Sequence, residues 1–138
     1  MKKTVRLLSI MAVIVAGCTT ACGQNATKNT ADDSRKVKVM TSFYTMYDFA
    51  QKIGGEKVEI TNMVPSGTEP HDWEPSAIDI RNMEDADVFI YNGAGMEHWA
   101  EDILKSLDNS ELVTVEASEG VELISEGKEN DPHVWLDP

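Results

Sequence analysis

Three histidines carry the most evident chemistry in this 138-residue chain: His71, His98 and His133. His71 lies in "PHDWEP" and His133 in "DPHVWLDP". The two settings rhyme, with a proline directly before each histidine, a tryptophan two residues after it, and another proline beyond that. Neutral imidazole is the commonest protein ligand for zinc. Proline restricts its own backbone and its neighbour's, so a ligand placed beside it loses little entropy on binding. Trp73 and Trp135 can wall such a site with apolar surface. Asp72, Glu74, Asp131 and Asp137 can each orient an imidazole through its second nitrogen. A histidine in a polar loop is nevertheless more often a solvated turn residue than a ligand. No local H-x-x-H spacing joins these two. His98 sits beside Glu97, Glu101 and Asp102 on the charged side of an expected helix. It reads as solvated, with a weak second metal ligand as the alternative.

Other chemistries have less support. The chain contains no G-x-S-x-G, G-x-x-x-x-G-K, G-x-G-x-x-G or H-E-x-x-H. "NGAG", residues 92–95, is a weak candidate for a phosphate cradle and reads more simply as a strand-to-helix turn. Asp131 and His133 form a D-x-H, as in metal-dependent phosphatases, but the further ligand motifs of such an enzyme are absent. The many carboxylates offer no specific acid–base pair.

The elements that must position the histidines follow from periodicity. "VKVMTS" is a strand, with Val37 and Val39 on one face. Ser42 is placed to cap a helix through "FYTMYDFAQKI", whose apolar side is Met46, Phe49, Ala50 and Ile53, and Gly54 and Gly55 stop it. "KVEITNMV" is a second strand. Ser76 is placed to cap a helix over "AIDIRNMEDA", with Asp79 in its first turn. "DVFIYN" is an apolar run suited to a strand buried on both faces. "GMEHWAEDILKSLD" predicts a long helix with Met96, Trp99, Ala100, Ile103, Leu104 and Leu107 on one stripe. "ELVTVEA" is a fourth strand. This alternation predicts an α/β fold with a four-stranded parallel sheet, helices over it and right-handed crossovers. Ligands of such sheets bind beyond the carboxyl ends of the strands. His71 follows the second strand, and His133 follows the fourth after the acidic segment "SEGVELISEGKEN". Both therefore reach the same sheet edge.

The amino terminus reads as an address. "MKKTVRLLSIMAVIVAGC" has a basic start and an apolar run, Leu7 to Ala16, of signal-peptide length and too short to span a bilayer easily. It ends in "VAGC", similar to a bacterial lipobox, which predicts cleavage after residue 17 and lipidation of Cys18. Cys22, in "TTAC", is a weaker candidate, and an ordinary cleaved signal with two incidental cysteines is the alternative. Both cysteines precede residue 23, so no disulfide framework is available to the folded part. Residues 23–35, "GQNATKNTADDSR", are too polar to bury a core and form a tether reaching roughly 20 Å. Two or more acyl chains would hold the protein stably at a membrane. The net charge of −12 leaves a surface that repels nucleic acid. The expected organisation is a signal peptide over 1–17, a lipidated tether over 18–35 and an α/β lobe over 36–138.

"MTSFYTMYDFAQKIGGEKVEI", "VPSGTEPHDWEPSAIDI", "ADVFIYNGAGMEHW" and "DPHVWLDP" occur in that order. Together they resemble the N-terminal half of metal-binding lipoproteins that serve ABC importers, with the closest similarity to the zinc-specific AdcA/ZnuA-like branch of the cluster A-I receptors. The resemblance runs from Lys36 to Pro138, with the lipobox in addition. It implies a clamshell of two α/β lobes joined by a long helix, with a metal ion between the lobes and two ligands from each. The first lobe's ligands match His71 and His133. On this resemblance the linking helix would begin near Pro138, so the second lobe and its ligands are absent from this chain, and a gene fragment or a truncated protein is expected. Two ligands alone would bind zinc weakly. The histidine-rich loop of many zinc-branch members is replaced here by "SEGVELISEGKEN".

The function implied is an extracytoplasmic, lipid-anchored, monomeric receptor that delivers Zn(II) to the permease of an ABC importer and catalyses no reaction. The manganese branch shares the fold and both histidines, so Mn(II) is the alternative cargo; imidazole-rich sites suit zinc and carboxylate-rich ones manganese. A surface adhesin with a structural metal and a hydrolase built on the D-x-H are the competing classes.

Overall fold

A computed structural model describes residues 35–126 and 129–136. The leader, Cys18, Cys22, nearly all of the tether and Asp137 lie outside the described residues. Four parallel strands form the sheet: β1 (Val37–Thr41), β2 (Val58–Asn62), β3 (Val88–Tyr91) and β4 (Val113–Glu116). Their order across the sheet is β2-β1-β3-β4. The chain turns one way from β1 and the other way towards β3, so the crevice between those two strands is where such sheets hold ligands. Backbone pairing runs on past the strand ends there. The Ser42 amide donates to the Ile90 carbonyl at 3.0 Å, and the Val64 amide to the Ser42 carbonyl at 2.9 Å.

The helices are α1 (Tyr44–Gly54), α2 (Ala77–Glu84) and α3 (Ala100–Ser106). Alternate residues of each strand point to opposite faces. Met40 and Phe89 are buried with Met83 of α2, Ala100 of α3 and Trp99. On the other face, Phe43, Met46 of α1, Val64 and Met96 are buried together. Trp73 packs against both clusters. Val39, Ile90 and Val115 line an apolar groove with Phe49 and Ile53 of α1. Of the four residues expected on the apolar side of α1, Met46 and Ala50 are buried, whereas Phe49 and Ile53 stay exposed. β3 is buried less completely than its composition predicts: only Phe89 is fully enclosed, and Val88, Ile90 and Tyr91 are half-buried.

The capping expectations divide. Ser76 caps α2 as a full capping box: its hydroxyl accepts the Asp79 amide while the Asp79 carboxylate accepts the Ser76 amide at 2.8 Å. Ser42 does not cap α1. Phe43 occupies the N-cap position, and the Ser42 hydroxyl is buried without a hydrogen-bond partner in the protein. The Ser42 backbone is bound into the sheet on both sides, which draws the residue inward. Gly55 ends α1 with φ 55°, as its type predicts.

The helix expected over 95–108 is much shorter, and residues 96–99 are a bend and a turn instead. Met96 and Trp99 are both buried, but in different clusters, on opposite faces of the sheet. A single helical stripe would present both to one side. A small antiparallel pair, β5 (Ser125–Glu126) with β6 (Glu129–Asn130), lies in the acidic segment where no strand was expected.

Candidate metal centre

His71 occupies a single 3-10 turn, Pro70–Asp72. Pro70 opens the turn, where a missing amide costs nothing, and the Trp73 amide closes it on the Pro70 carbonyl at 3.4 Å. Trp73 then points into the protein and meets the Trp99 ring edge-on at 5.6 Å. The imidazole is left exposed on a turn whose downstream end is anchored in the core.

His133 is fixed from several directions. The Asp131 amide donates to the Ile124 carbonyl at 2.7 Å, tying the segment to the start of the β5–β6 pair. The Asn92 side-chain amide donates to the Pro132 carbonyl at 2.8 Å. Downstream, Val134–Leu136 form a 3-10 turn in which the Leu136 amide donates to the His133 carbonyl at 3.1 Å. Trp135 packs at 5.2 Å from both Phe43 and His133. Of the two tryptophans expected to wall the site, Trp135 meets its histidine, while Trp73 serves as the anchor below His71.

The structure brings the two imidazoles together: their centroids lie 6.2 Å apart, edge to face at 68°. Imidazoles bound to one tetrahedral ion, with nitrogens about 2.0–2.1 Å from it, hold their centroids roughly 5 Å apart. The two rings are therefore about 1 Å further apart than such a pair. His71 also faces an open concavity of about 620 Å³ shared with Ala94, Gly95, Asn130 and Pro132.

The electrostatics select one nitrogen of His133. Asp131 Oδ1 lies 2.7 Å from His133 Nδ1 and also accepts the His133 backbone amide at 3.0 Å. The amide bond, then the imidazole bond, hold the Asp131 carboxyl below its ordinary value of 3.8. An ionised carboxylate only accepts, so in the neutral ring Nδ1 carries the proton and Nε2 is the nitrogen with the free lone pair. The acids near His71 behave differently. Glu74 turns towards His98, with 3.8 Å between Oε1 and Nε2, and no side-chain hydrogen bond reaches the His71 ring among the described residues. His98 stays exposed and outside the His71–His133 pair. Among the described residues, no group of three or more His, Cys, Asp or Glu side chains is placed to hold an ion.

The turn after β3 is not a phosphate cradle. Gly93, Ala94 and Gly95 have φ of 78°, 52° and 88°, which exposes a run of amides. The Glu97 carboxylate already occupies the start of this turn, accepting the Asn92 amide at 2.9 Å and the Gly93 amide at 3.0 Å. Glu97 is therefore buried, where the helical pattern had placed it on a charged, solvated side. Asn92 and Glu97 are the contributors to the site that sequence reasoning missed. The signal available was an asparagine ending an apolar strand, followed by G-x-G and an acid four residues after the first glycine.

The family model for zinc-uptake complex component A, periplasmic, matches residues 39–138. A Bacillus subtilis protein named high-affinity zinc uptake system protein ZnuA is 39% identical over 144 positions, which cover 91% of this chain and 45% of the relative. The manganese-binding lipoprotein MntA of Halalkalibacterium halodurans is 35% identical, over 95% of this chain and 42% of its own length. The chain thus spans less than half the length of these curated relatives. The crystal structure of the Zn(II)-bound ZnuA-like domain of Streptococcus pneumoniae AdcA superposes with a TM-score of 0.67 at 37% identity, covering 73% of this chain and 38% of that one. With its parallel sheet and its match over residues 39–138, the chain belongs to the ZnuA family of zinc-uptake complex component A proteins.

Proposed function

We propose that this chain is the metal-binding lobe of an extracytoplasmic receptor that captures Zn(II) and passes it to the permease of an ABC importer, without catalysing a reaction. His71 and His133 supply two imidazole ligands. The observation that carries the reading is their 6.2 Å approach at the sheet edge, with His133 Nδ1 committed to Asp131. Tetrahedral zinc takes four donors, so two more come from outside the described residues. The names of the Bacillus subtilis relative and of the Zn(II)-bound AdcA domain support zinc as cargo. Cys18 carries the lipid anchor after removal of residues 1–17, residues 18–35 are the tether, residues 36–138 form the lobe, and the receptor works as a monomer.

Metal analysis of the gene's product beside a His71→Ala, His133→Ala double variant tests the site. One zinc per chain that disappears in the double variant is the expected result. Zinc content unchanged by the two substitutions would leave both histidines as loop residues. The manganese-binding relative favours a second reading, Mn(II) as cargo, at the same two histidines. Tight manganese and weak zinc binding in a calorimetric titration would establish it. Membrane fractionation with and without Cys18→Ser tests the anchor, and a wild-type protein that stays wholly soluble would exclude it.

A further inference from the structure

We propose that Asn92, clamped by Glu97, is the positioning residue that holds the His133 segment in register with His71 and so sets metal affinity; this deepens the metal-receptor reading and rests on it. Asn92 directly follows β3, one of the two strands flanking the central crevice, and is fully buried. Its amide is held by Glu97 Oε1 at 2.9 Å, and its carbonyl accepts the Ser118 amide at 2.9 Å. With both backbone groups bound, the side chain has a fixed origin. From there Nδ2 donates to the Gly93 carbonyl at 3.0 Å and to the Pro132 carbonyl at 2.8 Å.

The second bond crosses 40 positions of sequence and ends on the residue directly before His133. Among the described residues it is the side-chain hydrogen bond that joins the sheet to the Asp131–His133 segment; the other side-chain bonds of that segment are Asp131's own bonds to His133. The partner histidine comes from the loop after β2. The spacing of the two rings therefore depends on where Asn92 pins the Pro132 carbonyl. Glu97 enters because it orients Asn92 and Gly93 together, and its carboxylate is buried. Outer groups that orient a ligand typically change metal affinity 10–100-fold when lost.

The test compares wild type, Asn92→Asp, Glu97→Gln and Asp87→Asn in the full chain. Asn92→Asp keeps the shape and exchanges the donor for an acceptor facing a carbonyl. Glu97→Gln keeps the shape and leaves one amide without its acceptor, and it carries the test if Asn92→Asp does not fold. Asp87→Asn weakens a contact to the Lys38 amide at the opposite end of the sheet, away from both histidine loops, and controls for general stability loss. Zinc affinity is read by competition with a chromophoric chelator, and Co(II) absorption reports the geometry of the bound ion. We expect roughly 10–100-fold weaker zinc binding and an altered Co(II) spectrum in Asn92→Asp and Glu97→Gln, with Asp87→Asn close to wild type. In the metal-free protein, the His133 ring resonances should move in the same two variants.

Wild-type affinity in the Asn92 and Glu97 variants, or equal weakening in Asp87→Asn, would overturn the proposal. If zinc binding proves indifferent to His71→Ala and His133→Ala, the receptor site itself fails. The metal-free resonances still judge Asn92 in that case: a moved His133 signal supports the positioning role, and an unmoved one removes it.

Discussion

Asp131 holds His133 twice, through the ring at Nδ1 and through the backbone amide, with one carboxylate oxygen 2.7 Å and 3.0 Å away. The carboxylate therefore sets both the tautomer of the imidazole and the turn that presents it. Asp131→Asn offers Nδ1 a neutral amide that donates as readily as it accepts, so Nε2 is no longer reserved for metal. Zinc affinity is expected to fall roughly 10–100-fold, with a melting curve close to wild type because the residue is exposed. Chelator competition and calorimetric melting check the two halves of this expectation.

Gly93 lies in a left-handed conformation, φ 78°, and a Cβ there would collide with the Glu116 side chain. Gly93→Ala combines backbone strain with that overlap and is expected to destabilise the fold by more than about 1 kcal/mol. The Tyr91–Glu116 hydrogen bond, 3.0 Å in the wild type, should be broken. Denaturant unfolding measures the first effect and the tyrosine titration described next measures the second. Gly95, with open space around it, provides the contrast: Gly95→Ala meets strain without a collision.

Burial, then the hydrogen bond to Glu116, push the Tyr91 phenol up to about 12 from 10.0. A group whose folded value is raised contributes stability that is fully present below its unfolded value and is lost as pH rises through the folded one. The stability of wild type relative to Tyr91→Phe should therefore hold steady up to about pH 10 and fall between pH 10 and 12. Ultraviolet difference titration of the pair isolates this phenol. A Tyr91 component ionising near pH 10 would show that neither the burial nor the Glu116 contact holds in solution.

At the opposite end of the sheet, Asp87 accepts the Lys38 amide at 2.8 Å and the Arg35 guanidinium at 3.0 Å. The amide bond and then the guanidinium lower its carboxyl from the ordinary 3.8. The sign is the reverse of the Tyr91 case. The stabilisation is complete above pH 3.8 and fades as pH falls through the lowered value. Asp87→Asn should thus be less stable than wild type at neutral pH, and the two should converge in strong acid. Parallel melts from pH 2 to 7 check it, and a gap that persists unchanged at the acid end would assign the effect to something other than the charge.

Local features of this protein were legible in its residues. The alternation of strands and helices, the parallel sheet and the capping box of Ser76 with Asp79 rest on neighbours within a few positions, where periodicity and turn chemistry act. The arrival of His71 and His133 at one sheet edge followed from topology, since the loops they occupy leave the carboxyl ends of parallel strands. Tertiary structure alone decided the rest. Ser42 matches a cap by type, yet its backbone is taken by Ile90 and Val64 and the residue is drawn inside. Met96 and Trp99 share a helical stripe on paper, yet burial in separate clusters unwinds the segment between them. Glu97 reads as a surface acid, yet two backbone amides exposed by a left-handed turn give it an interior place. The bond from Asn92 to the Pro132 carbonyl joins residues 40 positions apart. Its geometry depends on where the packed sheet delivers both ends, and that information is not held by either residue or by its neighbours in the chain.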